Sequence, residues 1–181
     1  MYGVNFGNVL AAATRIEGIV AHTPVLTSPI LDSLAGRRLF FKCENLQHVS
    51  AFKFRGASNA VALLGSNAQN GVCTHSSGNH DQALALAAKQ NGIPDYIVMP
   101  ENAPKVKIAG VRNHGAEITF CEPTLAAREN TAAAVIERTG SSFIHPYDNQ
   151  HVIAGQGTAA LELIAESGPF DALITPVGGG G

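Results

Sequence analysis

The chain has 181 residues, 45% of them hydrophobic and 14% charged, with a formal net charge of −2. That suffices for one generous core or two small lobes, and the scattered Lys and Arg residues speak against a nucleic-acid partner. Residues 1–20 lack the basic start and unbroken apolar run of a secretion signal and no later stretch reads as a bilayer span, so the expectation is a cytoplasmic protein without a membrane partner.

From Leu39 onward, short β-branched or aromatic runs alternate with Ala-rich segments of helical period. Strands are expected at residues 39–42, 72–75, 96–99, 117–121, 143–144 and 172–176. Helices fall between them, at 53–64, 79–90, 105–113, 125–139 and 152–166, each bounded by Gly, Pro or a polar turn residue. In the second of these helices Ala83, Leu84, Leu86, Ala87 and Ala88 offer a small apolar face to a sheet, and Gly92 and Pro94 end it. The pattern predicts an open α/β fold with a mostly parallel sheet, whose ligands bind where strand ends lead into helix N-termini. Cys43, Cys73 and Cys121 are odd in number and unpaired by spacing, which favours buried reduced thiols over disulfides or zinc. The histidines show no spacing typical of a metal hydrolase, so no metal ligand is assigned.

Three loops carry the chemistry. In Ser50-Ala51-Phe52-Lys53-Phe54-Arg55-Gly56-Ala57 a lysine stands at a helix start among apolar neighbours. The helix N-terminus and the apolar surroundings both disfavour its charged form, which suits a nucleophilic amine; a lysine snorkelling to solvent is the plainer alternative. Ser76-Ser77-Gly78-Asn79-His80 joins a strand to a helix and offers hydroxyls, an amide, an imidazole and free backbone N–H groups, a nest for a carboxylate or else an ordinary helix cap. The final run Gly178-Gly179-Gly180-Gly181 follows the last expected strand and can close backbone N–H groups around a phosphate, unless it is simply a flexible tail. A helix is expected after it, so the chain reads as the front part of a longer protein.

In this order, the segments 41–47 (Phe-Lys-Cys-Glu-Asn-Leu-Gln), 51–57, 75–80, 153–158 (Ile-Ala-Gly-Gln-Gly-Thr) and 176–181 resemble the fold-type II pyridoxal-phosphate enzymes. The branch they are most similar to holds the threonine/serine dehydratases, serine racemases and hydroxyaspartate dehydratases. The resemblance runs from about Ala21 to the last residue. It implies two lobes: residues 1–70 with 149–181 as an incomplete large cofactor lobe, and 71–148 as a small substrate-side lobe. It further implies that Lys53 forms the internal aldimine with pyridoxal 5'-phosphate and then serves as base at the substrate Cα. Phe52 would pack beside the cofactor, Asn79 would bond its 3-hydroxyl, and Gly178, Gly179, Gly180 and Gly181 would hold its phosphate. Ser76, Ser77, Asn79 and His80 would surround the substrate carboxylate. Ser77 matches the acid/base on the opposite face in racemases, and Arg128 an arginine that approaches a substrate carboxylate, though a surface helix arginine is as good a reading. A homodimer and a divalent metal such as Mg2+ also belong to the resemblance, with metal ligands beyond Gly181.

Three departures bear on the reaction. Ala51 replaces the serine of many dehydratases. Asp81 replaces a small residue, and a carboxylate there would repel a substrate carboxylate. His145-Pro146-Tyr147-Asp148 is closer to the dehydratase form of that loop, which tilts the expectation toward β-elimination from serine, threonine or 3-hydroxyaspartate. Serine racemisation is the enzymatic alternative. A non-catalytic amino-acid-binding module is the alternative of another class, and a fragment too short to be active is a third.

Overall fold

The computed structural model describes residues 3–76 and 78–177. Two strands, β1 (Val25–Leu26) and β2 (Phe41–Lys42), form a small antiparallel ladder. The main sheet contains β3 (Val72–His75), β4 (Asp95–Pro100), β5 (Glu117–Cys121) and β6 (Ser142–Phe143), all parallel, in the order β5-β4-β3-β6. β3 has neighbours on both edges and every residue of it is buried. Along β4, Ile97 and Met99 enter one core and Val98 the other, the alternation that lets a parallel sheet be covered on both faces.

Seven α-helices complete the described residues: α1 (Phe6–Ile16), α2 (Pro29–Ala35), α3 (Lys53–Ala62), α4 (Asn79–Asn91), α5 (Lys105–His114), α6 (Leu125–Thr139) and α7 (Gln150–Ser167). The larger core joins Phe54, Leu84, Ile97, Met99, Val111 and Val152; the smaller joins Cys73, Val98, Cys121, Ala132 and Val135 beneath α6. Helices α3 and α7 touch through glycine. A Cβ on Gly155 would stand 2.6 Å from the Cα of Gly56 and 2.7 Å from the Arg55 carbonyl oxygen, so only hydrogen fits at that crossing. None of the described helices is long and apolar enough to cross a membrane.

The α/β class and the parallel sheet are as the sequence leads one to expect, and β3, β5 and α6 have the expected bounds. The strand expected at 172–176 is not formed. Those residues have no strand partner, and Ile174 is 91% exposed: an apolar run becomes a strand only where a neighbour can satisfy its backbone. Helices α1 and α2 precede the first expected element. α1 starts at a reciprocal cap, the Asn5 side chain accepting the Asn8 N–H at 3.1 Å and the Asn8 side chain accepting the Asn5 N–H at 2.8 Å. α2 has Ser28 as cap, Pro29 as first residue and Gly36 in the left-handed region as stop.

Candidate active site

Lys53 opens α3 directly after a kinked turn. Val49 and Ser50 both have positive φ, 53° and 54°, a conformation costly for a β-branched residue. Buried Gln47 fixes the turn: its side chain accepts the Ala21 N–H at 2.9 Å and donates to the Ala21 carbonyl at 2.8 Å. Val49, half-buried, packs against the main core.

On the far side of Lys53, Arg55 is wholly buried within a set of ion pairs. Its guanidinium donates to both oxygens of Glu44 at 2.8 Å and to both oxygens of Glu162 at 2.6 and 2.9 Å. Lys42 Nζ stands 2.8 Å from Glu162 and 2.8 Å from Glu166. Burial alone would lift Glu162, but bonds from Arg55 and Lys42 outweigh it and hold its carboxylate below the ordinary range. His22, Glu162 and Glu166 have donor atoms close enough for a metal ion, yet the Lys42 ammonium already bridges the two carboxylates and Arg55 pairs with Glu162 as well. The network ties β2 to α7 through α3 and so fixes the helix that carries Lys53.

The Lys53 ammonium donates to the carbonyl oxygen of buried Pro146 at 2.9 Å and lies 5.3 Å from the Phe52 ring centroid. No carboxylate is bonded to it among the described residues, and burial lowers its pKa, the direction expected from its sequence neighbours. Phe52 shares a cavity of about 490 Å³ with Lys42, Asn45, Gln156, Thr175 and Pro176. The start of α3 therefore faces the segment that leads into the glycine run. Gly178 to Gly181 and Ser77 lie outside the described residues.

The turn after β3 reaches the same place from the other side. Ser76 is half-buried, its N–H bonded to the Val98 carbonyl at 3.3 Å. Asn79 is exposed, and its amide oxygen accepts from Lys107 of α5 at 2.6 Å. His80 turns inward: fully buried, its Nε2 donates to the Ile144 carbonyl at 3.2 Å, and desolvation pushes its pKa down to about 3, so it is neutral. What His80 can offer a ligand at the turn is its backbone N–H, which as part of a first helical turn has no intrahelical acceptor. His145 Nδ1 accepts the Asp148 N–H at 2.8 Å and so shapes the 145–148 loop that presents Pro146 to Lys53. Arg128, half-buried on α6, bonds its own Thr124 carbonyl at 3.4 Å, and its charge acts on both His75 and Asp81.

The structure thus brings together Lys53, His80 and the 144–148 loop. The Pro146 carbonyl, the Lys107 partner of Asn79 and the Arg55 network carry no local sequence signal, because each joins residues distant in the chain. The strained pair Val49–Ser50 is equally silent.

Comparison with known proteins gives the chain a family. The family model described as "Pyridoxal-phosphate dependent enzyme" matches residues 16–181. The chain is 50% identical to serine racemase of Arabidopsis thaliana, over 99% of this chain and 55% of that protein. It is 50% identical to β-hydroxyaspartate dehydratase of Paracoccus denitrificans, over 100% of this chain and 58% of that one. The crystal structure of serine racemase from Dictyostelium discoideum superposes with a TM-score of 0.92 at 48% identity, covering 97% of this chain and 58% of the other. The chain spans a little over half the length of these relatives.

Proposed function

The chain belongs to the pyridoxal-phosphate-dependent enzyme family, and on that premise we propose that it works on a small hydroxy amino acid, serine, threonine or 3-hydroxyaspartate. The reaction is loss of the Cα proton and the β-hydroxyl, giving a keto acid and ammonia after hydrolysis. The observation that carries the reading is Lys53, a half-buried amine with depressed basicity, bonded to a neutral carbonyl and beside Phe52, which shares a cavity with the segment before the glycine run.

These residues fit pyridoxal phosphate. The Lys53 amine would hold it, Phe52 would pack beside it, and Gly178, Gly179, Gly180 and Gly181 would take its phosphate. Bound there, the cofactor supplies an electron sink for the pair left when the Cα proton departs. The protein's own part is positional. The N–H groups and hydroxyls of Ser76, Ser77, Asn79 and His80 orient the substrate carboxylate. Arg128 adds positive charge on the same side, and Lys53, once displaced by substrate, takes the Cα proton. Asn79, held by Lys107, is the side chain for the cofactor 3-hydroxyl. Residues 71–148 form the substrate-side lobe in this reading, which is supported by all four main-sheet strands falling within it.

Serine racemisation is the second reading. It is supported by 50% identity to a serine racemase and by Ser77, the residue that would return a proton to the opposite face of Cα. Lys53→Ala in the complete polypeptide tests the shared premise. The variant is expected to lose the visible absorbance of lysine-bound cofactor and to lose at least about 10²-fold in turnover. Retained absorbance that borohydride still fixes onto the protein would refute the role of Lys53. Chiral analysis of serine alongside keto-acid release separates the two reactions.

A further inference from the structure

Asp81 sits at the third position of α4, directly behind the Ser76–Asn79 turn, and is fully buried. Its Oδ2 accepts the Gly78 N–H at 2.9 Å, and the Ser76 hydroxyl lies beside it. Its Oδ1 is buried with no partner among the described residues. Taking a carboxylate out of water favours its protonated form: burial raises its pKa well above the ordinary range, and the Gly78 N–H does not offset this. Titratable or charged groups on the elements around it include His48 before α3, Lys53 and Arg55 on α3, His75 on β3, Asp95 on β4, Lys105 and Lys107 on α5, and Arg128 and Glu129 on α6. Of these, Asp95 opposes its ionisation and Arg128 favours it.

We infer that Asp81 is a positioning residue for substrate recognition: its uncharged carboxyl braces Gly78 and keeps the turn open to an α-carboxylate, whereas its ionised form repels that carboxylate. The inference rests on the reading of this turn as the substrate-carboxylate site. It resolves the conflict seen in the sequence, where an acid appears behind an anion-binding loop. The acid is harmless there only while protonated. By linkage, a bound carboxylate and a charged Asp81 exclude each other, so binding keeps the proton in place.

The test uses the cofactor-loaded complete polypeptide and two amines, glycine and methylamine, each followed by the change it causes in cofactor absorbance. Methylamine lacks the carboxylate. Glycine affinity is expected to fall by up to about tenfold per pH unit above the pH at which Asp81 ionises. Methylamine should lack this limb, and so should glycine with the Asp81→Asn variant, which keeps the acceptor for Gly78. Asp95→Asn, which removes the neighbouring buried acid, should retain it. The same alkaline limb for both amines, or for glycine in both wild type and Asp81→Asn, overturns the inference. Should the Asn variant fail to fold, calorimetry of glycine binding to wild type in two buffers of different ionisation enthalpy counts protons. Net uptake on the limb supports the proposal, and its absence overturns it. If neither amine perturbs the cofactor, the assignment of the site itself fails and this inference falls with it.

Discussion

His80 shows how a residue can stand in the turn at the head of α4 and still face the core. Its ring donates to Ile144 and is neutral, so the folded state rejects a proton that the unfolded chain accepts at the ordinary histidine value of 6.5. The folded pKa is depressed to about 3, and the unfolded chain therefore binds more protons throughout that interval. Stability is full above pH 6.5 and declines as pH falls, by up to about 1.4 kcal/mol per unit. Urea unfolding at a series of pH values should show this slope, and His80→Gln, which keeps a donor for Ile144, should flatten much of it. His75 and His145, lowered first by burial, leave a residue of the same sign. An unchanged acid slope in the variant would mean that the proton goes elsewhere. The lowered basicity of Lys53 was legible in its sequence neighbours, because apolar flanks bring burial locally. The inward turn of His80 was not: its acceptor is 64 residues away.

Among the elements, the glycine contact between α3 and α7 sets how closely the lysine helix lies to its support. Gly155→Ala would place a methyl group against backbone atoms of Gly56 and Arg55 that cannot swing aside, forcing the helices apart. A loss of about 1–3 kcal/mol is expected, read as a lower denaturation midpoint. Weaker cofactor absorbance should accompany it, because the shift moves Lys53. An unchanged midpoint would show that the crossing tolerates a wider spacing. Elements were legible where punctuation and period coincide, as in α6 between Thr124 and Gly140. α2 carries equally clear punctuation, Ser28, Pro29 and Gly36, yet lies ahead of any strand that would have drawn notice to it. The run at 172–176 has the composition of a strand, but pairing is a property of two segments, and composition describes one.

For the molecule as a whole, large apolar side chains remain exposed. Leu26 and Phe41, paired across β1 and β2, are 53% and 41% exposed, Ile164 of α7 is 49%, and Ile174, which lines the cavity with Phe52 and Leu163, is 91%. Exposed apolar surface drives association. The 181-residue chain expressed alone is expected to self-associate, with sedimentation showing species larger than the monomer at micromolar concentration; a clean monomer would show that this surface is covered by rearrangement. The Arg55–Glu162 pair spans 107 positions of sequence, so during synthesis Arg55 waits on the order of 10 s for that partner, holding only Glu44 and the Ala21 carbonyl. The four-stranded sheet, made entirely of intervening residues, can be complete before Glu162 leaves the ribosome. The lysine helix is then locked last, against a sheet already built, and the order of assembly follows from where one buried guanidinium finds its second carboxylate.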